Sequence, residues 1–282
     1  MSRQPGHKRG RPREAPAYAL GSDPAERDRL RRQSEELRAQ SSALLDHTGI
    51  GEGWAAIDLG CGPSGILELL AARVGSAGRV VGLDFNPDNV ALAKQLAYER
   101  RLSNVDVVQG DARHTGLPGS SFDLAHCRTL LINVPEPEGV VAEMARLVRP
   151  GGWVAASEPD IPMTVCYPRL EAWDRMAQLF RQSVTSDGAD EAIGRRLPEL
   201  FRQAGLVDVG VDASMKVYPH GHSRRTVRAD LFRTLRGKIV ARGMADAAEL
   251  DDIDRAVRTH LDDPQTLVVH TAFLAWGRKP AA

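Results

Sequence analysis

A glycine-rich string at residues 58–65 (DLGCGPSG) is the part of this sequence best suited to bind a small ligand. It follows a short apolar run and precedes an amphipathic stretch, so it is predicted to turn a strand into a helix. Glycines let a ligand approach the backbone closely, and the first turn of a helix presents unpaired N–H groups. The string also matches G-x-G-x-x-G, which is typical of dinucleotide-binding turns. It therefore indicates a site for a nucleotide-like cofactor.

Three aspartates bear on the choice between two cofactors, NAD(P) and S-adenosylmethionine (SAM). Asp58 lies two residues before the first glycine, where it would repel a pyrophosphate and attract the cationic amino group of SAM. Asp84 follows the second apolar run at the distance expected of an acid that binds ribose. Asp111 ends the third run, where a carboxylate can accept from the amino group of adenine. The glycine string alone fits both cofactors, and Asp58 and Asp111 favour SAM.

Short apolar runs alternate with helical stretches around these residues, and this pattern predicts the elements that position them. Strands are predicted at residues 55–60, 79–85, 105–111, 122–128 and 152–159, and helices near 65–74, 87–101 and 137–148. Such alternation implies right-handed crossovers and a parallel sheet with helices on both faces. Residues 161–202 and 224–261 are predicted to be mainly helical. Residues 205–218 and 266–278 are predicted strands without the usual crossover between them, which suggests an antiparallel strand at one edge.

Composition narrows the possible functions. The chain has 282 residues, of which 42% are apolar and 26% charged, as in an ordinary globular domain. A net charge of zero creates no field that favours nucleic acid, and an aromatic content of 5% argues against a surface that stacks bases. Cys61, Cys127 and Cys166 are far apart, which argues against a disulfide framework or a zinc site. We expect no metal, no membrane insertion and a cytoplasmic location.

The predicted domain organisation is a basic tail and one domain. Residues 1–16 contain almost no apolar side chains and are predicted to be disordered, and residues 17–282 form the domain, with its core at 54–160. Three segments outside the core are predicted to build a lid over the cofactor crevice. They are residues 18–48, 161–200 and 219–265. A capped and largely apolar pocket suits a small organic acceptor.

Two features near the N-terminus suggest further partners. Residues 8–13 (KRGRPR) match an AT-hook, but a single short basic tail is more often just solvated, so we do not expect a nucleic-acid partner. A helix predicted from Asp23 to about Leu45 carries a stripe of leucines. This stripe is expected to dock over the crevice, bringing Tyr18 and Gln33 near the ligand, or on a second subunit as a homo-oligomer contact.

Five strings in order resemble those of class I SAM-dependent methyltransferases. They are DLGCGPSG at 58–65, GLDFNP at 82–87, QGDA at 109–112, FD at 122–123 and LVRPGG at 147–152. Residues 133–160 are similar to the small-molecule branch, which includes ubiquinone/menaquinone-biosynthesis C-methyltransferases and natural-product methyltransferases. The resemblance implies a Rossmann-like α/β fold, with a seven-stranded, mostly parallel sheet and one antiparallel edge strand. The chain departs from the family pattern at Ser64, where the family often has glycine.

The resemblance also implies a role for each matching position. Four residues face the methionine part of SAM: Asp58, Gly60, Cys61 and Gly62. Asp84 binds the ribose hydroxyls, and Phe85 packs against the adenine, which Asp111 and the backbone N–H of Ala112 recognise. Arg128 lines the methionine or acceptor side.

An acceptor that must lose a proton would need a general base, and three residues are candidates for it. They are Tyr18, Glu158 and His222, of which Glu158 lies at the carboxyl end of the fifth predicted strand. The predicted function is transfer of the SAM methyl group to carbon, oxygen or nitrogen of a small apolar acceptor, in secondary or quinone-type metabolism. The alternatives are an NAD(P)-dependent oxidoreductase and a non-catalytic SAM-binding or DNA-associated protein.

Overall fold

The computed structural model of the protein describes residues 32–63 and 65–281. Within this part of the chain, eight strands form one sheet. The strands are β1 (Ala55–Leu59), β2 (Arg79–Asp84), β3 (Val105–Gln109), β4 (Phe122–Arg128), β5 (Val148–Pro159), β6 (Val165–Tyr167), β7 (Val207–Tyr218) and β8 (Leu267–Arg278). The order across the sheet is β3-β2-β1-β4-β5-β8, with β7 beyond β8.

Strands β1 to β5 are parallel, whereas β8 runs antiparallel to β5 on one side and to β7 on the other. The predicted Rossmann-like α/β sheet, mostly parallel with an antiparallel edge, is therefore confirmed. The eighth strand is the short β6, which pairs with the first residues of β8.

Residues 32–36 are helical, and nine α-helices with both ends in the described part of the chain follow. They are α1 (Arg38–Thr48), α2 (Leu67–Val74), α3 (Pro87–Glu99), α4 (Pro137–Leu147), α5 (Glu171–Thr185), α6 (Ile193–Gln203), α7 (Val227–Thr234), α8 (Arg236–Ala241) and α9 (Ala247–Leu261). Local sequence fixes several helix starts. In α3, Pro87 occupies the first turn and the side chain of Asn86 accepts from the N–H of Asp88.

Buried side chains form a core on each face of the sheet and a third cluster among the later helices. One face packs against α4 and α6, and the opposite face packs against α1, α2 and α3. The third cluster joins α5, α7, α8 and α9 around side chains such as Trp173, Met176 and Phe232. These helices therefore have a core of their own at the edge of the sheet.

One prediction about the later half of the chain was wrong in part. Residues 161–202 were expected to be mainly helical, but they include the strand β6 and a 3-10 turn at Ile161–Met163 before α5. Residues 165–167 pair with β8 where that strand extends past the end of β5. Tertiary pairing decides the structure of so short a segment, and its periodicity carries no such information.

The chain reverses its direction across the sheet between β1 and β4. β2 and β3 follow on one side of β1, and β4 and β5 on the other. In open α/β sheets ligands bind beside the carboxyl ends of the strands at this switch point. No helix among the described residues is long and apolar enough to cross a membrane.

Candidate active site

A cavity of about 620 Å³ opens at the carboxyl ends of β1, β2, β4 and β5. All ten positions predicted to bind the cofactor line it, namely Gln33, Asp58, Gly60, Cys61, Gly62, Asp84, Phe85, Asp111, Ala112 and Arg128. The three segments predicted as a lid also contribute to its walls, through residues such as Leu37, Phe180 and Leu231. The structure thus brings the cofactor positions and the lid segments to one cavity.

Asp58, the last polar residue of β1, is buried and oriented by two neighbours. Its Oδ1 lies 2.7 Å from Nδ1 of His126 on β4, and its Oδ2 accepts from the N–H of Ile66 at 3.2 Å. The two side chains meet because Asp58 and His126 are paired in register across parallel strands. His126 was not predicted as a site residue, and the only hint in the sequence is a polar residue within the apolar run of β4.

Two glycines of the string are favoured by their positive φ and by the space around them. A Cβ on Gly65 would lie 2.6 Å from Oδ2 of Asp58, and Gly65 has a φ of +43°. A Cβ on Gly60, at φ +68°, would lie 2.7 Å from Cδ1 of Leu130. Gly65 therefore excludes larger residues on steric and conformational grounds, whereas Gly60 disfavours them mainly by its positive φ, because the end of the Leu130 side chain can move. Ser64 lies outside the described residues.

Asp84 connects the glycine turn to the start of α3. Its Oδ2 accepts from the N–H of Gly62 at 2.8 Å, and its Oδ1 accepts from the N–H of Asn86 at 2.9 Å and from the side-chain amide of Asn89 at 3.2 Å. Phe85 follows with 55% of its surface exposed at the cavity. A large exposed aromatic ring on a cavity wall offers a face for a planar group.

Asp111 follows β3 and is held by Arg113. The guanidinium donates to both carboxylate oxygens, with Nη2 2.7 Å from Oδ2, and the backbone N–H of Arg113 donates to Oδ1 at 2.9 Å. The hydrogen bonds from the Arg113 side chain keep the pKa of Asp111 below its ordinary value. Asp111 is therefore an ionised acceptor at the cavity wall, and Ala112 lies beside it.

Arg128 ends β4 and is tied to the N-terminal helical segment. Its Nη1 donates to Oγ of Ser41 at 3.0 Å, and its Nη2 donates to Oγ of Ser34 at 3.2 Å. Burial lowers its pKa from the ordinary value. In the same segment the side chain of Gln40 donates to Ser157 at 3.1 Å, so the described part of the predicted N-terminal helix packs over the crevice. Tyr18 lies outside the described residues.

Two residues predicted as candidate bases are engaged elsewhere. Glu158 is fully buried and is not part of the cavity wall. Its carboxylate accepts from the backbone N–H groups of Leu130 and Leu131 at 2.8 Å and of Ile132 at 3.3 Å. Burial raises its pKa to about 7, against the lowering effect of these donors. Glu158 was expected to face the crevice because it lies at the carboxyl end of β5, but it fixes the loop after β4 instead.

His222 is also engaged outside the cavity wall. Its Nδ1 accepts from the backbone N–H of Arg224 at 3.1 Å, so the side chain caps the 3-10 turn Ser223–Arg225. It does not line the cavity. His220 is exposed, with its Nε2 3.5 Å from Asp262. No group of three or more potential ligands in the described residues could hold a metal ion.

Opposite the glycine turn, the cavity wall includes four polar residues that were not predicted from the sequence and that bear on acceptor binding. They are Tyr218 at the end of β7, Arg224 and Arg228 around the start of α7, and His270 on β8. The rings of Tyr218 and His270 meet edge to face at 5.0 Å. Nearby walls are apolar, with Phe180, Val184, Val227, Leu231 and Leu235. The cavity therefore has one end with three aspartates near the glycine turn, and a far end where apolar walls stand beside both cationic residues and the acidic residues Asp160, Asp187 and Glu191.

The end with the three aspartates fits SAM by the chemistry of its donors and acceptors. Asp58 offers a buried carboxylate for an amino group, Asp84 lies where a ribose would meet the end of β2, and Asp111 offers acceptors for an adenine amino group. Nothing lies within 4 Å of a Cβ built on Gly62, so the turn leaves room at its surface. The exposed ring of Phe85 completes the cradle.

The sequence profile of a family described as a methyltransferase domain matches residues 50–205, more than half of the chain. The chain therefore belongs to this methyltransferase family. The matched region contains the glycine turn, the three aspartates and all strands from β1 to β6. The resemblance seen in the sequence motifs is confirmed.

Relatives of this chain include an uncharacterized protein and two named methyltransferases. A transposon protein of Streptomyces fradiae, described as uncharacterized, is 34% identical over 174 residues, which are 61% of this chain and 49% of that protein. This chain thus spans about half the length of that relative. A demethylmenaquinone methyltransferase of Geobacillus is 32% identical over 179 residues (59% and 76%), and nocamycin O-methyltransferase of Saccharothrix syringae is 28% identical over 247 residues (84% and 86%).

Solved methyltransferases share the fold. Phosphoethanolamine N-methyltransferase 2 of Haemonchus contortus, in complex with phosphomonomethylethanolamine and S-adenosylhomocysteine, has a TM-score of 0.55 and 17% identity. The match covers 86% of this chain and 52% of that one. The similarity confirms the Rossmann-like architecture.

Proposed function

We propose that this protein transfers the methyl group of SAM to a small organic acceptor bound in the same cavity. The observation that carries the proposal is the continuity of the cavity. It runs from the three aspartates beside the glycine turn to an apolar chamber under the helices α5, α7 and α8. Membership of a methyltransferase family and the SAM-compatible residues at one end support the cofactor.

Methyl transfer requires little from the protein beyond the correct positioning of the cofactor and the acceptor. When bound, SAM supplies a sulfonium methyl group that is already activated for transfer. Asp58, oriented by His126, attracts the amino group, and Asp84 pairs with the ribose hydroxyls. The segment around Gln33 and Gln40, together with the later helices, excludes water from the cavity. Positioning and exclusion of water are established sources of rate enhancement for such a transfer.

The apolar chamber supports an acceptor with a substantial hydrophobic part. Phe180, Val184, Val227 and Leu231 form its walls, and they come from two of the three predicted lid segments. Relatives named for a quinone precursor and for a natural product agree with this class of acceptor. We propose secondary or quinone-type metabolism as the setting and a cytoplasmic location for the enzyme. Cys61, Cys127 and Cys166 are free thiols, as expected there.

Titration calorimetry with S-adenosylhomocysteine and, separately, with NAD tests the cofactor. The proposal expects saturable binding of S-adenosylhomocysteine and none of NAD at the same concentrations. Preferential binding of NAD would replace the proposal with an oxidoreductase. Incubation with SAM carrying a labelled methyl group and a panel of apolar acceptors then tests transfer, with the label appearing in the acceptor.

A further inference from the structure

Arg224 is a nearly buried cation whose guanidinium donates no hydrogen bond to the described residues. It lines the cavity, and only 14% of its side chain is exposed. Within the described part of the chain, its Nε has no hydrogen-bond partner, and its ion pair with Glu36 spans 3.9 Å. The guanidinium also lies 5.8 Å from the centre of the Tyr218 ring. A buried charged donor without a partner costs free energy, so its place on a cavity wall points to a missing ligand.

Arg228 repeats this arrangement four residues later. It is 6% exposed, its Nε has no partner among the described residues, and its Nη1 donates to the carbonyl oxygen of Ile161 at a long 3.3 Å. Its guanidinium lies 5.4 Å from the centre of the Trp173 ring. Burial lowers its pKa to about 10, which still leaves it charged at neutral pH. The cavity wall thus holds two arginines with unused donors.

The acidic residues at this end of the cavity already have other cationic partners. Asp160 accepts two hydrogen bonds from Arg195, Asp187 pairs with Lys238 and Arg242, and Glu191 pairs with Arg181. Glu191 attracts Arg228 electrostatically, but no hydrogen bond joins the two side chains in the described part of the chain. The distance from Glu36 Oε2 to Arg224 Nε is 3.9 Å, which is too long for a hydrogen bond. Arg224 and Arg228 therefore lack a close anion among the described residues. Lys216, an exposed cation that also lines the cavity 5.6 Å from the centre of the Tyr218 ring, forms no ion pair with these acidic residues either and adds to the positive charge of this wall.

His270 is a further polar residue of this wall without a hydrogen-bond partner among the described residues. Its Nε2 is buried without a partner in the described part of the chain. Burial, followed by the positive charges of Arg224 and Arg228, lowers its pKa to about 3. The imidazole is thus neutral at physiological pH and can serve as a hydrogen-bonding group without adding charge.

We propose that the methyl acceptor carries an anionic oxygen group of the carboxylate class, which binds to Arg224 and Arg228 beside Tyr218. The inference rests on the proposed function, because it concerns the acceptor end of the same cavity. A guanidinium offers a planar fork of donors that matches a carboxylate. The remainder of the acceptor then lies against Val227, Leu231 and Leu235, so the substrate class is an organic acid with an apolar body.

Benzoate and benzamide test the proposal, because they share a shape and differ in charge. Their binding to the protein saturated with S-adenosylhomocysteine is measured by ligand-observed NMR titration. We expect benzoate to bind at least about tenfold more tightly than benzamide, as for a charged hydrogen-bonded pair. Arg224→Gln and Arg228→Gln should each weaken benzoate binding about tenfold and leave benzamide binding unchanged. Arg224→Lys, which retains the charge, should lose less.

The matched control is Arg255→Gln, which removes an arginine that pairs with Asp252 on the exposed face of α9. It should bind benzoate like the parent protein. Benzoate binding no better than benzamide, including no detectable binding of either, overturns the proposal. So does equal benzoate binding in the folded Gln variants. Failure of the parent protein to bind S-adenosylhomocysteine is a different result, which refutes the proposed function itself.

Discussion

Asp58 and His126 form a buried pair in which the carboxylate Oδ1 lies 2.7 Å from the imidazole Nδ1. A carboxylate only accepts, so Nδ1 carries the proton and donates. The Nε2 of His126 has no partner among the described residues. The histidine therefore acts on the cofactor site through Asp58, whose orientation it fixes.

His126→Leu should weaken the binding of S-adenosylhomocysteine by about 1–3 kcal/mol, because the carboxylate of Asp58 would lose its buried donor. The free energy of unfolding should fall by a similar amount. Titration calorimetry and chemical denaturation measure the two effects. His220→Gln, which changes an exposed histidine outside the cavity, is the control. Unchanged cofactor affinity in a folded His126→Leu protein would show that Asp58 needs no orienting partner.

Asp84→Ala should weaken S-adenosylhomocysteine binding by about 1–3 kcal/mol, since ribose hydroxyls would remain unpaired in the cavity. The carboxylate also accepts from the N–H of Gly62, so the glycine turn loses a support at the same time. Calorimetry measures the affinity. Asp88→Ala removes an exposed acid at the start of α3 and should leave affinity close to that of the parent protein. Equal affinities for the two variants would remove the assignment of Asp84 to the ribose.

Gly65→Ala should abolish measurable cofactor binding while the protein remains folded. The added methyl group would lie 2.6 Å both from Oδ2 of Asp58 and from the backbone carbonyl oxygen of Cys61, so the carboxylate and the glycine turn must both move from their places in the cavity. Gly49→Ala is the matched control, because Gly49 has a φ of +66° and nothing within 4 Å of the added carbon. It carries the conformational cost of a positive φ without the clash. If both variants bind S-adenosylhomocysteine alike, the close contact at Gly65 is unimportant.

The cofactor end of the site could be predicted because its residues belong to short strings that include their own structural context. A strand, a glycine turn and a helix start place Asp58 and Gly62 within a few residues of each other. The carboxyl ends of adjacent parallel strands then bring Asp84 and Asp111 to the same crevice. The place of a residue at the end of a strand gave a wrong prediction only for Glu158, which was expected to face the crevice. Its side chain lies away from the cavity and accepts hydrogen bonds from three backbone N–H groups.

The acceptor end could not be predicted, because its residues come from separate elements without a shared pattern. Tyr218 and His270 meet only through the antiparallel pairing of β7 and β8, in which Tyr218 is in register with Val268. Arg224 and Arg228 resemble ordinary surface arginines in a helical stretch. Their burial depends on the packing of α5, α7 and α9 into a separate core. Such long-range packing leaves no periodic signal in the sequence.

Residues 32–48 should exchange their amide hydrogens more slowly when S-adenosylhomocysteine is bound. Gln33, Leu37 and Gln40 line the cavity, so a ligand there adds contacts to this segment. Hydrogen exchange followed by mass spectrometry measures the change, with peptides of α9 (Ala247–Leu261) as the internal reference. Equal exchange with and without ligand would show that this segment is fixed scaffold and that closure belongs to the later helices.

Glu158→Gln should change how stability depends on pH. The pKa of Glu158 is raised from 4.5 to about 7 in the folded protein. Between these values the folded state holds a proton that the unfolded state has lost. The contribution of Glu158 to the free energy of unfolding therefore decreases as the pH rises through this window, by at most about 1.4 kcal/mol per pH unit, and is constant above it. A glutamine does not titrate, and its side-chain oxygen can still accept from Leu130 and Leu131.

Chemical denaturation of both proteins at about pH 5, 6, 7 and 8 measures the effect. This series covers roughly the range in which a carboxyl group with a raised pKa changes its charge. The stability of the parent protein relative to the variant should fall from the lowest pH of the series to about 7, the raised pKa of Glu158, and should then stay constant. All other titrating groups are shared by the two proteins, so their effects cancel in this difference. Glu199→Gln, which alters an exposed glutamate on α6, controls for the loss of one carboxyl group. A difference that stays constant across the series would mean that the three backbone donors keep Glu158 ionised in the folded state, since their hydrogen bonds would then outweigh the cost of burial.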